Sequence, residues 1–226
     1  MVMRSRESFM KYQLAIFDLD GTILDTLEDL ANSLNYALAV EGHPVRSMDE
    51  VRRFVGDGML KLVKRALPES FEQDAEKVLE QLKAHYKIHC ADNTKPYEGI
   101  IELLWELKKA GYKLAVVSNK ADYAVQILCE QYFAGIFDVT VGEKEKEGVR
   151  KKPAPDAVYH VLETLGVEKD AAVYIGDSEV DIKTAENADM DAVLVSWGFR
   201  DAQFLRDLGV ARLAASMKEL KRELFN

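Results

Sequence analysis

Leu14-Ala15-Ile16-Phe17-Asp18-Leu19-Asp20-Gly21-Thr22 is the stretch on which the fold turns. Four apolar residues with no polar break read as a strand covered on both faces, as strands of a parallel sheet are. Gly21 and Thr22 then let the chain turn away at once. Ligands of open parallel sheets sit beyond the carboxyl ends of the strands, which is where Asp18 and Asp20 emerge. Two carboxylates so close repel each other unless a cation or a proton relieves them. The stretch therefore asks for a metal, a shared proton, or both.

The same rhythm returns later in the chain. Further strand candidates are residues 114–117, 137–141, 172–175 and 192–195, and helical patterns at 100–110, 121–132, 157–165 and 180–187 lie between them. Gly111 and Gly166 stand where helix C-termini favour glycine. The alternation predicts an α/β fold, a Rossmann-like doubly wound parallel sheet with helices on both faces. Residues 26–95 break it with four helical stretches and no strand: 26–40, one opening on a Ser47…Glu50 capping box, 58–67 and 70–89. They read as an all-helical insertion after the first strand. The expected division is a core of residues 10–24 and 96–226, a helical domain of residues 25–95, and a leader of residues 1–9.

A chain of 226 residues is long enough for one domain with such an insertion. The net charge of −9 argues against nucleic acid as a partner, because a phosphate backbone needs a basic face. A small phosphorylated metabolite stays compatible with a local basic pocket. No apolar run is long enough to span a membrane. Cys90 and Cys129, far apart and without a signal peptide, read as free thiols of a reducing cytoplasm. Monomer and homodimer are both open.

Four polar clusters each follow a strand candidate: Asp18 with Asp20; Ser118-Asn119-Lys120; Lys152-Pro153 beyond a charged loop; and Gly176-Asp177-Ser178 with Asp181. A parallel sheet brings its strand C-termini to one edge. Carboxylate oxygens gathered there suit Mg²⁺, which pairs readily with phosphate. The Ser and Asn groups beside a helix N-terminus suit a phosphate. Arg150-Lys151-Lys152 offers more than one lysine for the third cluster.

With these clusters in order, the chain resembles the haloacid dehalogenase-like superfamily of phosphotransferases. Residues 18–25, Ser118-Asn119, Lys152-Pro153-Ala154-Pro155 and residues 176–181 match its four motifs in sequence. The insertion sits where that family carries a mobile C1-type cap. Within the superfamily the chain looks most like phosphoglycolate phosphatases, through residues 54–58, 96–99, Ser118-Asn119-Lys120 and Trp197-Gly198-Phe199-Arg200.

The resemblance implies a Mg²⁺-dependent phosphatase for a small phosphomonoester, best matched by 2-phosphoglycolate. Asp18 would be the nucleophile that forms an aspartyl-phosphate, and Asp20 the general acid and base. Lys152, with Lys151 as the fallback, would neutralise the phosphoryl group. Thr22, Ser118 and Asn119 would bind or frame the phosphate. The metal would be held by Asp18, Asp177 and the Asp20 main-chain carbonyl, with Asp181 behind them positioning Lys152 or a water.

Lesser candidates carry plainer readings. Asp57 between Gly56 and Gly58 is a turn residue or a reach into the pocket. Arg52, Arg53, Lys61, Lys64 and Arg65 are a solvated helix face or a carboxylate-recognising group. Trp105 and Trp197 read as packing. His85 and His89 share a helix face but lack a third ligand, so they do not make a metal site. Alternatives to the leading function are a pyrophosphatase or a sugar or nucleotide phosphatase on the same site. A non-catalytic binding protein of this fold is the reading from another class.

Overall fold

The computed structural model describes residues 11–225, so the expected leader of residues 1–9 lies outside the described residues. In chain order the elements begin with β1 (Leu14–Phe17), β2 (Leu24–Asp25), α1 (Leu27–Val40), α2 (Met48–Phe54), α3 (Met59–Ala66), α4 (Ala75–His89) and β3 (Lys95–Pro96). Then come α5 (Ile100–Lys109), β4 (Lys113–Ala121), α6 (Asp122–Phe133), β5 (Val139–Glu143), α7 (Asp156–Leu165), β6 (Ala172–Gly176) and α8 (Glu179–Ala188). The chain finishes with β7 (Asp191–Val195), α9 (Ala202–Asp207), β8 (Leu213–Ala214) and α10 (Met217–Phe225).

Six strands form one sheet in the order β5-β4-β1-β6-β7-β8, every pair parallel. β1 lies near its centre between β4 and β6, which is why its four residues are all apolar and buried. Their alternation divides them between two cores. Ala15 and Phe17 join Leu114, Val116, Val173 and Ile175 against α5, α6 and α10. Leu14 and Ile16 join Ala115, Val117 and Tyr174 against α7 and α8. This is the doubly wound α/β architecture expected from the alternation.

Helices α1–α4 stand between β2 and β3, with α1 packed against α4. α2 opens on the expected capping box: Ser47 Oγ accepts from the Glu50 N–H, and Glu50 accepts from the Ser47 N–H. The long helix expected over 70–89 does not hold throughout. Residues Glu69–Asp74 form a 3₁₀ segment with Phe71 in non-helical backbone, and α4 begins only at Ala75. Phe71 leaves the helical path and meets the His43 ring edge-on. The strand expected at 137–141 is displaced to Val139–Glu143.

A two-stranded antiparallel ribbon, Leu24 with Pro96 and Asp25 with Lys95, carries the chain into and out of the helical unit. The buried Asp29 of α1 braces it. Its carboxylate accepts from the main-chain N–H groups of Asn93 and Thr94, the Asn93 amide and the Thr94 hydroxyl. A buried carboxylate without such donors would be strongly destabilising.

Candidate active site

The carboxyl ends of β1, β4 and β6 meet at one edge and deliver Asp18, Ser118, Asn119 and Asp177 to a cavity of about 60 Å³. Lys152 arrives from the loop between β5 and α7, and Asp20 and Lys120 complete the floor. β4 runs past the expected end at residue 117, with a register irregularity between Val117 and Ala121. That break re-aims Ser118-Asn119-Lys120, as bulges beside sites do. Leu30, Val55, Gly56, Gly58, Met59 and Leu62 of the helical unit form an apolar roof.

Lys152 is the hub of the site. Its ammonium lies 2.9 Å from Asp18 Oδ1 and 2.8 Å from Asp181 Oδ1, and donates to the Tyr174 hydroxyl at 3.1 Å. Burial opposes its charge, but Asp18 and Asp181 outweigh burial and hold its pKa well above the usual range. The neighbouring Lys151 pairs with Glu145 instead. Asp181 is fully engaged: Oδ2 accepts from the Ser178 hydroxyl at 2.7 Å and from the Ser178 and Asp177 N–H groups. Asp181 therefore orients Lys152 and the start of α8.

Asp18, Asp177 and Asp181 are buried and offer carboxylate oxygens within 4.8 Å of one another. Burial, then Asp181 and Asp20, push the Asp18 carboxyl up to about 7 against the pull of Lys152. Burial, then Asp181 and Asp18, raise Asp177 well above the usual carboxylate range. Asp177 is gripped by the Phe199 N–H at 2.6 Å and the Thr22 hydroxyl at 3.4 Å. Gly21 and Gly198 make that grip possible, because a Cβ on either would lie 2.3 Å from Asp177 Oδ2. One lysine cannot balance this negative charge, and an oxygen set of this kind fits a hard divalent cation.

Linkage gives that imbalance a sign. A carboxyl that binds its proton more tightly when folded favours the fold at low pH, and the stability is lost as pH rises through its folded pKa. Metal-free protein is thus expected to lose stability as pH rises through about 7 at Asp18. Added Mg²⁺ should raise the melting temperature more at about pH 8 than at about pH 5, read by thermal denaturation. Equal gains at both pH values would remove the cluster as the cation site.

Thr22, expected at the phosphate, is buried against Asp177, because the turn at Gly21 (φ 80°) directs it there. The hydroxyl that reaches Asp20 belongs to Thr26, whose Oγ1 donates to Asp20 Oδ1 at 2.6 Å. The same Oδ1 takes the Lys120 ammonium at 2.8 Å. Burial works against the Lys120 charge, and Asp20 and Tyr86 outweigh it and raise its pKa.

The roof is tied down from the core. The Asn119 amide donates to Lys152 O at 3.0 Å and to Gly56 O at 3.2 Å. Arg200, unassigned by sequence reasoning beyond its motif, lines the cavity and pairs with Glu179 at 2.8 Å. Its guanidinium also donates to the Arg52 and Val55 carbonyls. These accept well because they end helix α2.

The lesser candidates stay outside the cavity. Asp57 pairs with Lys61 and Arg65, and Lys64 with Glu72. Arg52 and Arg53 are exposed. His85 stacks on Tyr36 and on His89. Trp197 donates to Thr22 O and Trp105 is partly exposed.

Residues 15–195 match the family model of haloacid dehalogenase-like hydrolases. A phosphoglycolate phosphatase of Aquifex aeolicus is 36% identical over 188 residues, 83% of this chain and 86% of that one. One of Psychrobacter arcticus is 35% identical over 210 residues, 88% of this chain and 90% of that one. A Lactobacillus delbrueckii subsp. bulgaricus crystal structure, described provisionally as a phosphoglycolate phosphatase, superposes with a TM-score of 0.91 at 40% identity. It covers 96% of this chain and 100% of its own. The chain belongs to the haloacid dehalogenase-like hydrolase family, in its phosphoglycolate phosphatase-like group, and is a phosphoric monoester hydrolase.

Proposed function

We propose that the chain is a Mg²⁺-dependent phosphatase that hydrolyses a small phosphomonoester, 2-phosphoglycolate, through an aspartyl-phosphate on Asp18. The observation that carries this reading is the buried juxtaposition of Asp18 with Lys152 on one side and Asp177 on the other. A carboxylate with an ammonium and a cation site as neighbours can approach an anionic phosphate. One without them would be repelled.

Asp18 attacks phosphorus as the bond to the leaving oxygen breaks, and Asp20 delivers its proton to that oxygen, releasing the alcohol. Asp20 then takes a proton from water as the water attacks the phosphoryl group and frees Asp18. Lys152 neutralises the phosphoryl oxygens and holds the Asp18 carboxylate in line. The Ser118 hydroxyl and the Asn119 main-chain N–H support the same group. Asp18, Asp177 and the Asp20 carbonyl would hold Mg²⁺, which would supply charge neutralisation for the phosphate. The helical unit acts as a lid that excludes water, seated through Asn119 and Arg200.

The substrate name rests on the relatives' names. The reading also places the enzyme in the cytoplasm, where the buried thiols of Cys90 and Cys129 stay reduced.

A panel of phosphate esters ranked by kcat/KM with Mg²⁺ tests it. 2-Phosphoglycolate should rank at or near the top, and a chelator should abolish turnover of every ester. Turnover that survives chelation contradicts the metal requirement. A sugar phosphate or pyrophosphate far ahead of 2-phosphoglycolate contradicts the substrate.

A further inference from the structure

Lys120 lies in the cavity floor and takes no part in the transfer steps assigned to Asp18, Asp20 and Lys152. It follows Ser118 and Asn119 in β4, and its side chain is only 2% exposed. A buried ammonium is strongly unfavourable unless its charge is matched. Here it is matched from two directions. Asp20 Oδ1 lies 2.8 Å from Nζ. The ring of Tyr86, from α4 of the helical unit, lies 4.7 Å away across Nζ, a distance at which a cation and a ring face attract.

The pairing is lopsided in a way that matters for proton transfer. The Lys120 ammonium and the Thr26 hydroxyl both meet Asp20 Oδ1. Oδ2 has no hydrogen-bond partner among the described residues. A carboxylate held at one oxygen by a charge cannot swing freely, and Asp20 lines the cavity with its other oxygen free of protein partners among the described residues. General acid catalysis needs that kind of fixed approach to the leaving oxygen.

We propose that Lys120 is a positioning residue for Asp20: it pins Oδ1 so that Oδ2 is the oxygen that carries the proton to and from the reacting group. The proposal rests on the reading of Asp20 as acid and base. It also separates the two active-site lysines by task, Lys152 for the nucleophile and phosphate, Lys120 for the acid. The contact with Tyr86 makes the helical unit part of that device, since its ring lies 4.7 Å from the same ammonium.

The test compares two esters by kcat/KM, which covers every step through departure of the leaving group. An alkyl phosphate needs a proton on its leaving oxygen. An activated nitrophenyl phosphate needs almost none. Lys120→Met should lower kcat/KM for the alkyl ester ~10–100-fold and for the nitrophenyl ester less than ~3-fold, since only the alkyl leaving group depends on the acid. The inhibition constant of inorganic phosphate should not change. Lys120→Gln repeats the test if the Met variant does not fold, and a thermal melt establishes that each variant is folded.

Asp20→Asn is measured alongside. If it fails to show the same selective loss, the acid role of Asp20 is wrong. If Asp20→Asn is selective and the Lys120 variants lose equally on both esters, the positioning role is overturned and the acid role stands. A loss confined to esters that carry a carboxylate, sparing an uncharged alkyl phosphate, would assign Lys120 to substrate binding and also overturn it.

Discussion

Asp18→Asn is expected to lower kcat at least ~10⁴-fold while leaving the protein folded, because the variant keeps the shape and loses the nucleophile. The amide oxygen can still accept from Lys152 and from the Leu19 N–H, which now meet Asp18 Oδ1 at 2.9 and 2.7 Å. Burial and the nearby carboxylates oppose the Asp18 charge and push its carboxyl up to about 7. Removing that charge should raise the melting temperature of the metal-free protein above pH 7, and leave it nearly unchanged well below, where wild type is protonated. Lost activity with gained stability marks a residue kept for chemistry. Activity near wild type, or a variant that is inactive only because it unfolds, would contradict this account.

Asp20→Asn carries the second large effect, a fall in kcat of ~10²–10⁴-fold, the usual range for a lost general acid–base. Two features distinguish it from Asp18→Asn. The nucleophile survives, so an activated nitrophenyl phosphate still phosphorylates the enzyme and releases one equivalent of phenolate in a burst. The second step then stalls, because no base draws the proton from water. Stopped-flow absorbance reads the burst directly. A linear trace with no burst would remove Asp20 from the activation of water, and an unchanged kcat would remove it from both proton transfers.

The parts of this molecule that were legible in sequence are those written locally. The run of residues 14–17 announces a strand buried on both faces, and the structure places it between β4 and β6. Motifs at strand ends converge because parallel strands share a direction, so the sequence order of the strands already brings Asp18, Ser118, Asn119 and Asp177 to one cavity. Ser47 and Glu50 declare their helix start by spacing alone.

What was illegible depends on partners remote in the chain. The β2–β3 ribbon pairs only Leu24–Asp25 with Lys95–Pro96, too short for any periodicity to show. Strand β8 is two residues long and is defined by the neighbour that receives it. The Asp20–Lys120 pair joins residues a hundred positions apart, and the contacts of Thr26 with Asp20 and of Thr22 with Asp177 depend on how the Gly21 turn is aimed. Arg200 gives no local sign that it reaches α2. Asp57, flanked by glycines, suggests a flexible arm, yet Lys61 and Arg65 one and two turns along α3 bind it in place.

The identity of the phosphorylated residue is the decisive measurement. Enzyme mixed with substrate and Mg²⁺, quenched in acid within one turnover and digested, should yield a phosphate-mass adduct on the peptide that contains Asp18, localised to its side chain. Asp20→Asn enzyme with an activated ester should yield more of it. An adduct on any other residue, or steady turnover with no adduct at Asp18 in either protein, would contradict the account.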